Sequence, residues 1–271
     1  MEVLNDRMRE AGFKHVIVRW QGSDRVVIEI PALPEAEIDR ITGLITRTGK
    51  LEFRLVKERR DARHILGLLG RALLRLPEVQ ADSHLIEVAG ALSEDSETYT
   101  TYGGTYVAER DHRILRNLLS HMNADSLLPS DATLGFSAEP QDVYKSEPGR
   151  ILYVMNRRAE LGGEHISDAK ANVGLDRRSP GSFGVSMNLD KEGALIFRKV
   201  TGTNVGRQLA IVVDGQVMSA PSIRGRIPSG NASITGSFTD VEARDLATTL
   251  RTGSLPVPLR LVESKVLQNV P

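Results

Sequence analysis

A run of five uninterrupted apolar residues, Leu209 to Val213, is the feature that most restricts how this chain can fold. In "GRQLAIVVDGQVMSAP" it meets Asp214 and Gly215, and a second apolar run leads to Ala220 and Pro221. Asp-Gly between two such runs predicts a tight β-hairpin. Leu209, Ile211 and Val213 are expected in a core, where burying each contributes roughly 1.5–3 kcal/mol. The chain has 271 residues, 40% hydrophobic and 26% charged, enough for one large domain or two modest ones.

Composition removes several classes of function. Lys plus Arg equals Asp plus Glu at 35 each, so no global field favours nucleic acid or an anionic membrane. Cysteine is absent, which excludes disulfides, thiolate nucleophiles and Cys-based zinc sites. No stretch approaches the ~20 apolar residues of a membrane span, and the sequence as written reads as a soluble polypeptide. The histidines at 15, 64, 84, 112, 121 and 165 show no HExxH or other paired ligand spacing. Gly202 and Gly206 are not followed by the Lys and Ser or Thr of a P-loop, and Ser186 in "GVSMN" fails the nucleophile-elbow pattern. The sequence therefore predicts no catalytic residue, no metal site and no cofactor, and the chain is read as a non-enzyme.

The coarse element reading is mixed α and β. Leu4, Met8 and Ala11 fall at helical spacing before Gly12, with nothing to cap the helix, so the chain reads as opening inside an element of something longer. "HVIVRWQGSDRVVIEIP" reads as a hairpin, Pro34 opens a helix closed by Gly49, and "LEFRLV" alternates as a half-buried strand. These elements predict a ferredoxin-like unit lacking its first strand. At the far end, Thr239 and Glu242 have capping-box spacing, a helix follows to Gly253, and "PVPLRLVES" reads as an edge strand. Both ends are thus expected to share a base, with the chain leaving near Lys57 and returning near Gly236. Residues 58–148 read as irregular, with helices in "DARHILGLLGRALLRLPE" and "HRILRNLLSHM" around the polar loop "LSEDSETYTTYGGTY". Residues 149–235 read as a compact α+β unit containing "RILYVM", "FGVSMNL", a helix around "EGALIFRKVT" and the opening hairpin.

A long stretch carries a family resemblance. "VGRQLAIVVDGQVMSAPSIRGRIPSGNASITGSFTDVEARDLATTLRTGSLPVPLRLVE" closely resembles the end of the first periplasmic domain of the SecD family. "DAKANV", "FGVSMNLDKEGALIFRKVTGTNVG", "EVLNDRMREAGFKHVIVRWQGSDRVVIEIPAL" and "TGKLEFRLV" are similar to its earlier parts, so the resemblance covers residues 1–57 and about 150–266. It implies an α+β fold with a ferredoxin-like base, 1–57 and 236–271, and an inserted head, 58–235. It also implies a piece of a multi-pass membrane protein, on the periplasmic side of the bacterial inner membrane. There it works with SecF and the SecY-containing translocon in proton-driven export of an unfolded secretory polypeptide. Within that frame Met187, Val217, Met218 and Ile223 are expected to line a shallow apolar groove for the polypeptide. A hinge is expected at Lys57, Glu58, Arg59 and Arg60 and at Thr235, Gly236 and Ser237. The competing expectations are a periplasmic ligand-binding module or a structural scaffold with no chain-pulling role.

Overall fold

The computed structural model describes residues 1–31, 34–92, 103–141, 147–176 and 179–265. The first elements are α1 (Glu2–Glu10), β1 (Ile17–Gln21), β2 (Arg25–Glu29), α2 (Glu35–Thr46), β3 (Leu51–Leu55) and α3 (Arg59–Leu73). Next come α4 (Pro77–Gln80), α5 (Ser83–Gly90), β4 (Gly104–Ala108), α6 (Glu109–His121), β5 (Ala132–Phe136) and β6 (Gly149–Asn156). The chain continues through β7 (Leu161–Gly162), β8 (Ile166–Val173), β9 (Phe183–Leu189), α7 (Lys191–Thr203), β10 (Leu209–Val213) and β11 (Gln216–Ser219). It closes with β12 (Asn231–Phe238) and α8 (Asp240–Thr252). The class is α+β.

Local chemistry accounts for many boundaries. Thr239 Oγ1 accepts from the Glu242 N–H at 3.2 Å while the Glu242 carboxylate accepts from the Thr239 N–H at 2.8 Å, starting α8 with a complete capping box. The Thr239 N–H and then its hydroxyl, both donating to the Glu242 carboxylate, hold that carboxyl below its ordinary pKa. Asp82 caps α5 by accepting from the N–H groups of His84 and Leu85. The stretch expected as one helix over 61–78 is broken ahead of Pro77 into α3 and α4, since proline cannot continue the ladder of hydrogen bonds.

The chain divides into two compact units. One comprises Met1–Leu51, Gly162–Ala194 and the chain from Ser229 onward; the other comprises Glu52–Leu161 and Leu195–Pro228. The expected base omitted residues 162–194, and the pairing of strands shows why they belong with the chain ends. β9 is the centre of the sheet β12-β9-β8. Met187 lies opposite both Ala232 and Ala169, and Val185 opposite both Ile234 and Ala171. α8 covers this sheet with Ala243, Leu246, Ala247 and Leu250 buried.

In this first unit one buried side chain joins three helices. Arg7, on α1 and 0% exposed, donates to the carbonyls of Leu44, Arg47 and Thr48 at the end of α2 and, at 2.9 Å, to Gly253 at the end of α8. A cation at two helix C-termini satisfies carbonyls that have no partner within their own helices. Gly49, at φ +73°, belongs to the same junction: a Cβ there would stand 2.7 Å from Arg7 Nη2 and 2.5 Å from Thr249 Cγ2. Around it, Arg40 donates to Asp245 at 2.8 and 2.9 Å, Arg251 donates to Glu10 and to the Ala169 carbonyl, and Leu255 N–H donates to Thr48 O. Met8, Ile41 and Leu44 form the small core beneath, with Phe13, Val16 and Ile30 against it.

Two expectations about this unit are corrected. β3 does not extend the β1–β2 hairpin, which among the described residues is a two-stranded sheet; β3 lies in the sheet β11-β10-β3-β7. The fully buried Leu51, Phe53 and Leu55 suit an interior strand, whereas Ile17 and Trp20 of the hairpin stay 53% and 59% exposed. β3 therefore does not stand beside β1 and β2 as expected. No strand forms over the described part of "PVPLRLVES" either: Pro256 and Pro258 lack ladder donors, and Leu261 and Val262 are exposed.

In the second unit the segment expected to be irregular carries a full core of its own. Leu66, Leu69 and Leu73 of α3, Val88 and Ala89 of α5, and Leu115, Leu118 and Leu119 of α6 pack against Leu152 and Val154 of β6. Most of the expected polar loop at 92–106 lies outside the described residues, and its end is β4. Exchanging Arg7 for Met, which takes a donor from four carbonyls and leaves Thr48 O with only the Leu255 N–H, is expected to cost about 2–4 kcal/mol. Urea unfolding measures it, and a loss below about 0.5 kcal/mol contradicts the role given to Arg7.

Candidate functional site

The opening hairpin sits in the second unit, and its first strand is enclosed on both faces. Asp214 at φ +51° and Gly215 at φ +80° make the turn, the two positive angles that a two-residue hairpin of this type requires. All five residues of β10 are buried. β11 pairs with β10 on one side and meets β5 on the other, through a parallel bridge from Val217 to Ser137 and an Ala138 N–H to Val217 O bond of 2.8 Å. β5 pairs with β6, and β6 returns to the end of β3 through the Val56–Met155 bridge and the Lys57 N–H to Val154 O bond of 2.8 Å. β3, β10, β11, β5 and β6 thus close on one another.

The interior of this ring is Val56, Ile151, Tyr153, Met155, Ala210, Val212 and Val217. Alternation along β6 sends Ile151, Tyr153 and Met155 into it and leaves Leu152 and Val154 for the helical core. Burial pushes the Tyr153 phenol up from its ordinary pKa, against a smaller opposing effect of its hydrogen bond with Gln141. Gly135 admits Met155 and Val217, which would stand 2.7 and 3.2 Å from a Cβ there. Outside the ring, Phe53 meets Phe197 of α7 edge to face at 5.4 Å.

The segment after the hairpin is fastened down. Leu209 N–H donates to Pro221 O, Ile223 N–H to Arg207 O and Gly206 N–H to Ile223 O, at 2.8–3.0 Å. Gln208 Nε2 donates to Ala220 O at 2.7 Å, and Ile227 N–H to Thr201 Oγ1 on α7 at 3.0 Å.

An open cleft of about 660 Å³ is lined by Lys57, Arg60, Asp61, Arg63, His64, Ile65, Pro129 and Asp131. Lys57 Nζ meets the Asp131 carboxylate at 2.5 Å across it and holds that carboxyl below its ordinary pKa. Carboxylate–imidazole pairs occur at His84–Asp111, 2.9 Å, and His165–Asp190, 3.3 Å. Neither imidazole is hydrogen-bonded to a hydroxyl among the described residues, where no cluster of metal-ligating side chains occurs either.

The structure separates the residues expected to form a groove. Met187 is 1% exposed on β9 of the first unit, while Val217, Met218 and Ile223 belong to the second. Val217, 1% exposed, fills the closed ring, and Ile223 is buried under its own backbone bonds. Only Met218 is partly open to solvent, so Met187, Val217 and Ile223 do not line an exposed groove. The expected hinge positions are likewise interior to the units. Lys57 is held by β6 and Asp131, and Glu58, Arg59 and Arg60 begin α3. Thr235 pairs with Gly184, and the irregularity at Gly236 and Ser237 lies within β12. A Cβ on Gly236 would meet the Phe238 ring at 2.9 Å, so that glycine serves a close approach. The chain passes between units at 51/52, 161/162, 194/195 and 228/229.

Comparison with known proteins divides the chain differently from the two compact units. The family model "SecDF, P1 head subdomain" matches residues 140–257, and "Protein translocase subunit SecDF, P1 domain, N-terminal" matches residues 1–58. The SecD protein translocase subunit of Rhodothermus marinus is 31% identical across 98% of this chain and 46% of its own length. That of Desulfurispirillum indicum is 32% identical across 98% and 40%. This chain therefore spans less than half the length of these curated relatives. A solved structure described as a membrane component SecDF that enhances protein export is 30% identical, covers 98% of this chain and 90% of that one, and has a TM-score of 0.57. A crystal structure of SecDF in super-membrane-facing form is 29% identical, with a TM-score of 0.58, across 97% of this chain and 27% of that one. Residues 59–139, between the two family models, still fall within the span aligned with the relatives.

The burial of these methionines generates a prediction. Met187→Ala is expected to lose about 2–5 kcal/mol of stability. Met218→Ala, half open, is expected to lose less than about 1.5 kcal/mol. Urea unfolding of both variants decides, and the reverse order contradicts the placement.

Proposed function

The chain belongs to the SecD family and corresponds to the P1 domain of SecD/SecDF, and from that premise we propose that it handles unfolded polypeptide during export. In this reading it is part of a membrane protein and lies on the periplasmic side of the bacterial inner membrane. No helix among the described residues is long and apolar enough to cross a membrane. Its partners are SecF, the SecY-containing translocon and the emerging secretory chain. The proton-motive force is used by parts of the protein beyond this chain, and the second unit moves relative to the first while holding polypeptide.

The observation that carries the proposal is the pairing of a self-contained second unit with four chain crossings into the first. A unit whose strands close on themselves and whose helices have their own core keeps its shape when displaced. The place to look for bending is the four crossings rather than Lys57–Arg60 or Thr235–Ser237, which are held by pairing inside a unit. A ligand-binding module would need an enclosed pocket with convergent polar groups, whereas the cleft beside Lys57 is open and two of its lining charges, Lys57 and Asp131, are paired with each other.

The test uses the full-length membrane protein with a photo-crosslinking residue in place of Met218 or Leu195, both in the second unit, and a secretory chain arrested in transit. Crosslinks to that chain are expected at one or both positions. Their absence at both, with export still dependent on the protein, points instead to a scaffold for SecF.

A further inference from the structure

The second unit carries a strip of positive charge with no acidic partner among the described residues. α7 buries Phe197, Val200 and Thr201, at 4%, 8% and 0% exposure, and turns Leu195, Arg198, Lys199 and Gly202 outward. These four recur at i, i+3, i+4 and i+7, so they share one face. Gly202 supplies no side chain, and the bare patch is covered by the stem of Arg226, whose Cδ and Cγ lie 3.6 Å from where a Cβ would stand. The bond from Ile227 N–H to Thr201 Oγ1 keeps the 220–228 segment beside the helix, and exposed Arg224 precedes Arg226 by two residues.

Charge here is one-sided. Between Leu195 and Pro228 the cations are Arg198, Lys199, Arg207, Arg224 and Arg226, and the single acid is Asp214 at the tip of the hairpin. Arg207 is taken up by Asn204 and the Val56 carbonyl. The remaining four are exposed and have no acidic partner among the described residues. The acid of α7 itself, Glu192, stands a turn before Leu195. A fold usually intersperses exposed charges of both signs; here the described residues supply no acidic complement. Leu195 and Val205, both 56% exposed, add apolar contact at the two ends of the strip.

We infer that this face of α7, with the 220–228 segment laid on it, is a docking strip for acidic stretches of an extended polypeptide. Spacing favours a chain over a lipid surface. Arg198 and the Gly202 patch bearing Arg226 are one helical turn apart, about 6 Å. Side chains on one side of an extended chain recur every ~6.6 Å, so acids at i and i+2 meet both cations. Two separated apolar residues offer little to insert in a bilayer. The inference deepens the polypeptide-handling reading and rests on it.

The test is fluorescence anisotropy on the 271-residue chain with three labelled 15-residue peptides, alternating Asp-Ala, Ser-Ala and Lys-Ala, at low and at raised salt. The Asp peptide is expected to bind about tenfold more tightly than the Ser peptide, with the difference shrinking as salt rises. Arg198→Glu, Lys199→Glu and Arg226→Glu together, all exposed and checked for folding by circular dichroism, are expected to reverse the preference toward the Lys peptide. Equal binding of all three peptides, unchanged in the triple variant, overturns the strip while leaving polypeptide handling intact. Binding to phosphatidylglycerol vesicles in place of peptide overturns it in favour of a membrane surface. If neither peptides nor vesicles bind, the polypeptide-handling reading falls with it.

Discussion

One guanidinium decides how the ends of this chain are arranged. Arg7 gives its donors to carbonyls at the end of α2 and the end of α8, 246 positions away along the sequence. Such a group is stable in the interior only when its hydrogen bonds are met, and the two helix ends meet them with acceptors that also lack partners. The arrangement needs Gly49, because any side chain there occupies the space of Arg7 and Thr249. Arg40–Asp245 and Arg251–Glu10 repeat the connection nearer the surface, tying α2 and α1 to α8. Partly exposed pairs of this kind contribute little each, so the buried residue carries the larger share.

Once the ends are joined, everything between them is a set of excursions. The chain leaves at 51/52, comes back for 162–194 to lay β8 and β9 under α8, leaves again, and returns at 228/229. The second unit must therefore hold itself together from two separate stretches. It does so through the closed strand ring, to which residues 52–161 give β5, β6 and most of β3 and residues 195–228 give β10 and β11. The greasy hairpin has its explanation there: Ala210 and Val212 fill the ring, and Leu209, Ile211 and Val213 are buried on the other face.

Legibility in the sequence followed the strength of local signals. The α8 capping box, the Asp-Gly turn and the stripes of α3 and α6 were readable because each is set by neighbours within a few residues. β8 was not, since the side it turns inward is Ala169 and Ala171, too small to stand out against Asp168, Lys170 and Asn172. β3 is legible as a strand but its partners are not, because alternation reports burial and says nothing of which strand lies alongside. Prolines 256 and 258 outweighed the alternation around them. Of the groove residues, Met187 and Val217 have the composition of an adaptable surface and the position of core; only long-range pairing distinguishes the two. The basic strip on α7 is not legible in the sequence because its parts, Arg198, Lys199 and Arg226, come together through Gly202 and a loop.

Native-state hydrogen exchange tests the central claim most directly, that α1, α2 and α8 form one cooperative body held at Arg7. As denaturant is raised below the unfolding transition, interior amides of α1, around Met8, are predicted to merge with those of α8, around Leu246 and Leu250, into a single opening reaction. Exchange of α1 at a much lower free energy, with α8 still protected, would show that the two chain ends are independent and would contradict the account.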